Sequence, residues 1–170
     1  YEPFTLPYED NFNSYTTGSS GTFPANWTKH HVGVSTAYPY ISTISSETAL
    51  YMYHSSSYKI YAVLPRAGVP VNSTEMMLKY RYGSTSGSAA AGPVIGVAKY
   101  AEPYDSLVAT FTPIDTLTLL TPEWKETIIS FATYAGGGDF IVFKSNGANE
   151  YIDDISIDAL PTCMYPLNVS

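Results

Sequence analysis

Two acidic segments, one near each end of the chain, carry the side chains with the clearest chemical potential. They are residues 9–13 (EDNFN) and residues 151–157 (YIDDISI). The second segment has the pattern of a β-strand, and alternation predicts that Asp153 shares a face with Ile155 and Ile157. A carboxylate on an apolar face is costly unless a cation or several hydrogen-bond donors meet it. No Lys or Arg lies beside this segment in the sequence.

A hard metal ion shared by the first and the last strand would balance this charge. Calcium is the best candidate, because it prefers carboxylate and carbonyl oxygens. The ligands would be Asp10 and Asp153, which requires the two ends of the chain to lie side by side, as chain termini often do. The alternative is an aspartate at the edge of a sheet, paired with backbone N–H groups or with an arginine from elsewhere in the chain.

The other reactive side chains do not form the arrangement that an enzyme needs. The chain contains no Gly-x-Ser-x-Gly turn, no phosphate-binding loop and no His-Glu-x-x-His motif. Asp153 and Asp154 are consecutive in the predicted strand, so alternation places them on opposite faces and excludes a pair that flanks one glycosidic bond. We therefore expect a protein that is not an enzyme, with an unrecognised hydrolase as an alternative.

Carbohydrate binding requires exposed aromatic rings with polar neighbours, and the chain offers two tyrosine pairs in predicted loops and turns. Tyr38 and Tyr40 flank a proline in a predicted loop. Tyr100 and Tyr104 flank a predicted turn. These four residues are the candidate ligand-binding residues. The alternative is that the rings pack in the core or at sheet edges, since tyrosine is a good strand residue with a polar tip.

The composition favours a single β-rich domain and excludes some partners. The chain has 170 residues, 16 of them Tyr, with 12 Gly and 12 Pro that favour many turns. Only 14% of the residues are charged, against about 25% in an average domain. The net charge of −7 argues against nucleic acid and against docking on anionic lipid. No apolar run approaches the roughly 18 residues of a membrane-spanning helix, so no membrane insertion is expected.

Short strand-like runs recur between turn clusters and predict an all-β fold, an antiparallel jelly-roll β-sandwich. Within one strand, Leu78, Tyr80 and Tyr82 share one face, while Lys79 and Arg81 share the other. The predicted strands are 4–12, 27–32, 49–53, 61–64, 76–82, 94–99, 111–119, 123–131, 140–144 and 150–160.

The end of the chain differs from this pattern. Residues 161–170 lack alternation and contain two prolines, so the predicted domain is 1–160, followed by a linker to a further domain. Two tryptophans open predicted strands, and we expect Trp27 and Trp124 to be wedges between the two sheets. Tyr51 and Tyr53 are expected to lie on one face of their strand.

The order of several short motifs resembles one known family. These are EDNF at 9–12, FPANWT at 23–28, AVLP at 62–65, VIGV at 94–97, PEW at 122–124, FIVF at 140–143, IDDI at 152–155 and PTCMYP at 161–166. Together they resemble the MAM-like jelly-roll modules of bacterial surface proteins, including the cleaved adhesin domains of gingipains. The resemblance implies a non-catalytic β-sandwich in a large secreted or cell-surface protein, with neighbouring domains of the parent chain as partners.

The resemblance also implies a structural calcium ion and a binding function. The acidic residue two before the first-strand Phe and the first Asp of the final pair correspond to Asp10 and Asp153, and loop groups near Ser46 and Glu47 would complete the site. Asn13 departs from the family, which often has Glu there. The implied function is adhesion to an extracellular host glycan or glycoprotein, and the alternative is an architectural spacer domain without a ligand.

Overall fold

The protein is described by a computed structural model for residues 2–19, 21, 23–33, 37–53, 55–72, 76–84, 90–99, 110–119 and 123–159. This part of the chain forms two antiparallel sheets, as the strand pattern predicts. The eleven strands are β1 (Tyr8–Asp10), β2 (Thr28–Gly33), β3 (Tyr40–Ile44), β4 (Glu47–Met52), β5 (Tyr58–Val63), β6 (Met76–Ser84), β7 (Ala90–Ala98), β8 (Thr112–Leu119), β9 (Lys125–Ser130), β10 (Phe140–Lys144) and β11 (Glu150–Ala159).

The two sheets take their strands from distant parts of the chain. The first sheet has the order β3-β4-β11-β6-β9, and the second has the order β2-β5-β10-β7-β8. Along one side of β11, residues 150–152 pair with β4 and residues 155–157 pair with β1. The first and last strands are therefore neighbours, as predicted from the sequence.

The core lies between the inward faces of the two sheets. In β6, Leu78 and Tyr80 are fully buried while Lys79 is exposed, which confirms the predicted alternation. Trp27 is buried in the core against Phe12 and Phe23, so its predicted role as a wedge is confirmed. The largest fully buried side chains are Tyr80, Phe12, Phe131, Phe140, Phe143, Ile41, Leu50, Met52, Ile60, Leu64, Met76 and Leu78.

One predicted strand is too long, and one observed strand, β3, is missing from the predicted set. The segment 4–12 contains only the three-residue β1, preceded by an isolated bridge between Phe4 and Ala67. Proline residues at positions 3 and 7 lack the N–H that a continuous ladder needs, and Phe12 ends the segment with a φ of 56°. Conversely, Tyr40 begins strand β3, although the sequence around Pro39 indicates a loop.

A β-bulge in β11 changes the predicted direction of its aspartates. Asp153 lies opposite Arg81, and Ser156 lies opposite Lys79, so two residues of β11 face one residue of β6. Asp154 takes a φ of 47° at this point. Asp153 therefore leaves the face of Ile155 and lies on the outer face of the sheet, contrary to strict alternation.

The described residues contain no helix long and apolar enough to cross a membrane. The predicted linker at 161–170 and the tyrosines at positions 100 and 104 lie outside the described residues.

Candidate functional site

Tyrosine rings line up on the outer face of the first sheet, and we call this group the tyrosine row. It consists of Tyr40, Tyr51, Tyr53 and Tyr151, and Tyr58, the first residue of β5 in the second sheet, contacts its end at Tyr53. Antiparallel register places Tyr40 and Tyr151 on either side of Tyr51. Their chain neighbours turn inward and fill the core, which leaves the rings on the outside. The row is thus a direct consequence of alternation in three adjacent strands.

The rings of the row are in mutual contact. The centroid of Tyr51 lies 5.1 Å from that of Tyr40, 4.8 Å from that of Tyr151 and 6.2 Å from that of Tyr53. Tyr53 stacks in turn on Tyr58 at 6.3 Å. Tyr53 is 42% exposed, and it lies on the same side as Tyr51, as predicted. Burial, with smaller effects from the neighbouring phenols, raises the pKa of Tyr51 to about 12, so this hydroxyl is protonated at neutral pH.

Trp124 extends this aromatic surface beyond the row. Gly83 lies opposite Tyr151 and has no side chain. A Cβ at Gly83 would lie 3.5 Å from the Trp124 ring, so the indole covers the glycine. Trp124 is therefore on the outer face of the first sheet, and its predicted place between the sheets is wrong. The guanidinium carbon of Arg81 lies 4.9 Å from the centre of the Trp124 ring, within the range of a cation–π contact.

Tyr38 and Tyr40, the predicted pair that lies within the described residues, have different ring partners. The ring of Tyr38 packs edge-on against His31 at 4.7 Å, with Lys29 Nζ 5.7 Å from its centre. Tyr40 instead contacts Tyr51 in the tyrosine row. Among the described members of the predicted set, only Tyr40 belongs to a continuous aromatic surface. Ligand contact at Tyr38 stays a prediction.

Three carboxylates meet at Arg81 beside this aromatic surface, and we call this group the Arg81 cluster. Nη2 of Arg81 donates to Glu47 Oε2 at 2.7 Å and to Asp153 Oδ2 at 3.0 Å. Nε lies 2.7 Å from Asp154 Oδ2, an ion pair without hydrogen-bond geometry. Burial opposes the charge of Arg81, but Glu47 and the two aspartates outweigh it and raise the pKa of the guanidinium. The bulge thus turns consecutive aspartates toward one cation, where alternation predicts opposite faces.

Asp10 lies apart from this cluster. It is opposite Ile155, so it shares the face that Ile155 presents to the core, whereas Asp153 is on the outer face. Its carboxylate accepts hydrogen bonds from the backbone N–H of Phe12 at 3.0 Å and from the Tyr15 hydroxyl at 3.1 Å. Burial raises its pKa, and these hydrogen bonds oppose the shift. In the part of the chain that the structure describes, no three His, Cys, Asp or Glu side chains are placed to hold a metal ion.

A polar groove adjoins the Arg81 cluster. It has a volume of about 760 Å³ and opens between β1, β11, β6 and β9. Its charged lining consists of Glu9, Asp10, Lys79, Glu126 and Asp154. Since sugars present many hydroxyl groups, a lining rich in carboxylates and one ammonium group offers both acceptors and donors for them.

The outer face of the second sheet carries a smaller aromatic group. Lys144 Nζ lies 5.9 Å from the centre of the Tyr61 ring and 5.6 Å from that of Phe111. Tyr61 is only 7% exposed. Tyr151 of the tyrosine row is similarly buried, at 8% exposed, but the row also contains Tyr53, which is 42% exposed, whereas Tyr61 and Phe111 are both less exposed than that.

Sequence reasoning missed the importance of Arg81, Trp124 and Tyr151. Alternation correctly predicts that Arg81 lies on the solvent-facing side of its strand, but its hydrogen-bond partners Glu47 and Asp153 are 34 and 72 residues away in the chain. The alternation of Tyr51 and Tyr53 was a usable signal for the tyrosine row. Pairing between strands was needed to add Tyr40 and Tyr151.

Several solved structures share this fold. The K1 cleaved adhesin domain of Lys-gingipain from Porphyromonas gingivalis W83 has a TM-score of 0.62 at 11% identity, over 92% of this chain and 99% of that domain. A family 11 carbohydrate-binding module from Clostridium thermocellum, in complex with a β-1,3-1,4-mixed-linked tetrasaccharide, has a TM-score of 0.57 at 13% identity, over 92% of this chain and 98% of that one.

The C-terminal family 22 carbohydrate-binding module of Clostridium thermocellum Xyn10B has a TM-score of 0.56 at 13% identity, over 91% of this chain and 94% of that one. No protein-family model matches the chain, and no curated protein matches its sequence. At these identities the likeness shows the fold. It confirms the jelly roll and the predicted resemblance to gingipain cleaved adhesin domains at that level.

Proposed function

We propose that this domain is a non-catalytic carbohydrate-binding module that holds a glycan on the tyrosine row of its first sheet. The single observation that carries the proposal is that tyrosine rings contact one another across β3, β4 and β11. Trp124, which covers Gly83, extends this aromatic surface. The row presents aromatic faces and phenolic hydroxyls on one surface. A sugar ring has an apolar face of C–H groups and a rim of hydroxyls, which is the complement of such a surface.

The neighbouring charged groups fit a neutral or hydroxyl-rich ligand. The groove beside the Arg81 cluster is lined by four carboxylates and one lysine, so it would repel a polyanionic chain. Sugar hydroxyls, by contrast, can donate hydrogen bonds to those carboxylates. The structural likeness to modules described as carbohydrate-binding supports the same class of ligand. A host glycoprotein that presents such a glycan is the corresponding macromolecular partner.

The cellular setting follows from the same proposal. The low content of charged residues and the likeness to cleaved adhesin domains support a module of a secreted or bacterial cell-surface protein, joined to further domains. The non-catalytic part of the proposal is supported by the Arg81 cluster, where one guanidinium holds three carboxylates that would otherwise be candidates for acid–base catalysis.

The test is binding to soluble mixed-linkage β-glucan, xylan and a glycan array, measured by affinity electrophoresis and calorimetry. We expect Tyr53→Ala and Trp124→Ala each to weaken binding by about tenfold, the effect of losing one stacking contact worth roughly 1–1.5 kcal/mol. Tyr38→Ala is the matched control, because Tyr38 is 38% exposed against 42% for Tyr53 but lies outside the row. Circular dichroism checks that each variant is folded.

The outcomes separate the rival functions. Loss of binding in Tyr38→Ala without any loss in Tyr53→Ala would contradict a site on the tyrosine row and would support the ligand contact predicted for Tyr38. Absence of binding to every polysaccharide and array glycan would support the architectural spacer. Release of reducing sugar from β-glucan or xylan would contradict the non-catalytic role and support the hydrolase.

A further inference from the structure

The Arg81 cluster already contains a cation at the place where the family resemblance implies calcium. Asp153 is its buried member, with a side chain only 4% exposed. Glu47 and Asp154 are 43% and 49% exposed, so water screens much of their charge. The cluster therefore holds one buried carboxylate against one guanidinium, whose side chain is 28% exposed. The backbone N–H of Asp154 donates a further hydrogen bond to Asp153 Oδ1 at 2.8 Å.

The donor set does not fit a calcium ion. Calcium takes about 6–8 oxygen ligands at roughly 2.3–2.6 Å. Here one carboxylate oxygen each of Glu47, Asp153 and Asp154 lies within 3.0 Å of an Arg81 nitrogen. These oxygens are therefore arranged around the guanidinium. A divalent ion among them would lie beside a fixed positive charge and be repelled by it. The other expected ligand, Asp10, lies on β1 opposite Ile155 and not opposite Asp153, and its carboxylate already accepts two hydrogen bonds.

We infer that Arg81 is the built-in cation of this site, so that the native jelly roll needs no calcium between its first and last strands. Arg81 lies on β6, and its guanidinium contacts Glu47 on β4 and both Asp153 and Asp154 on β11. These contacts link three strands of the first sheet. A bridging metal would supply the same link between neighbouring strands. Calcium stays a sequence-based prediction, and this geometry argues for the alternative in which an arginine from elsewhere satisfies Asp153.

Arginine suits this task better than lysine. Its planar group presents several N–H donors in a fixed arrangement and stacks on aromatic rings. Arg81 uses both properties, because it reaches three carboxylates while it lies 4.9 Å from the ring centre of Trp124. Trp124 covers one side of the guanidinium and limits its movement. We therefore expect Arg81→Lys to retain the charge but to lose part of the stabilisation.

The first experiment is a thermal melt of the unmodified domain in three conditions: after EDTA treatment and desalting, in the continued presence of EDTA, and with calcium chloride restored. We expect the same Tm in all three, because a ligand raises Tm only when it binds the native state. A Tm that falls in EDTA and returns with calcium would overturn the inference. Magnesium chloride at the same concentration separates specific calcium binding from a general effect of ionic strength.

The second experiment is a double-mutant cycle between Arg81→Met and Asp153→Asn. Arg81→Met leaves the buried Asp153 carboxylate without its cation, so we expect a large loss of Tm. In the Asp153→Asn background the same substitution should cost much less, since no buried charge is left unpaired. Equal losses in the two backgrounds would overturn the inference. If Arg81→Met does not fold, Arg81→Lys enters the cycle in its place, and the melts of the unmodified domain remain decisive.

Discussion

At the scale of single residues, Glu150 is the most unusual side chain in the described part of the chain. It is the first residue of β11 and is 0% exposed. Its Oε1 accepts a hydrogen bond from the Asn146 backbone N–H at 3.1 Å, while Oε2 has no hydrogen-bond partner among the described residues. Burial raises its pKa well above the usual value, and the Asn146 N–H and the charge of Lys59 oppose this only in part. The carboxyl is thus held in its neutral form over a wider pH range than in the unfolded chain.

This environment predicts a pH-dependent stability that Glu150→Gln removes. Above the ordinary pKa of a glutamate the unfolded chain releases the proton while the native state retains it, so stability falls as pH rises toward the native pKa. Glutamine cannot ionise, and we expect Glu150→Gln to raise Tm by several degrees at pH 8 but to change it little at pH 4. Thermal melts across this pH range measure the difference.

Glu126→Gln is the control for this prediction. Glu126 is 53% exposed and pairs with Lys79, which is 49% exposed, at 3.0 Å. Surface ion pairs of this kind contribute about 0–1 kcal/mol. The same gain at pH 8 in both variants would show that the effect comes from net charge and not from burial of Glu150.

At the scale of elements, the β3–β4 hairpin determines which residues face outward at the tyrosine row. Its strands are joined by Ser45 and Ser46, with φ values of 49° and 73°, and Ile44 pairs with Glu47 across the turn. Two-residue turns with both φ values positive favour Asn and Gly. The pairing register of β3 and β4 is important here, because a shift of one residue would place the side chains of Tyr40 and Tyr51 on the opposite face of the sheet.

Replacing this turn with Ser45→Asn and Ser46→Gly should stabilise the domain. The left-handed conformation costs an ordinary residue roughly 1–2 kcal/mol. Glycine avoids this cost, but it loses more backbone entropy on folding, which offsets part of the gain. We therefore expect the free energy of unfolding to increase by about 1 kcal/mol, measured by urea denaturation. Thr43→Gly, in the adjoining strand, should instead decrease it by about 0.5–1 kcal/mol. A decrease for both changes would contradict the turn assignment.

At the scale of the whole molecule, the N-terminal segment closes the sandwich. β1 pairs with the last strand, and Phe12 is fully buried with its ring 5.6 Å from that of Trp27. The indole N–H of Trp27 donates to the Tyr8 hydroxyl at 2.8 Å. The first dozen residues are thus tied to the core and to β11 at the same time.

Phe12→Ala tests this closure. Loss of a fully buried aromatic ring costs about 3–5 kcal/mol, and we expect a decrease of that size in the free energy of unfolding. Phe4→Ala is the matched control, since Phe4 is only partly buried and should cost much less. Similar effects of both substitutions in urea denaturation would show that the segment contributes as a whole and not through Phe12.

By itself, the sequence determined the fold class, most strand positions and the proximity of the first and last strands. These follow from local signals, because strand burial has a period of two and turn residues mark where strands stop. Buried Leu78 and Tyr80 beside exposed Lys79 illustrate this. Contacts between side chains on different strands have no local sequence signal of this kind.

Only the tertiary structure decided the surroundings of Asp153 and the membership of the tyrosine row. Arg81 lies 72 residues from Asp153 in the chain, and they meet because β6 and β11 are adjacent in the sheet. One bulge at Asp154 then reverses the direction that alternation predicts for Asp153. Strand order and register depend on the packing energy of the whole sandwich, so no short segment of sequence could have specified these contacts.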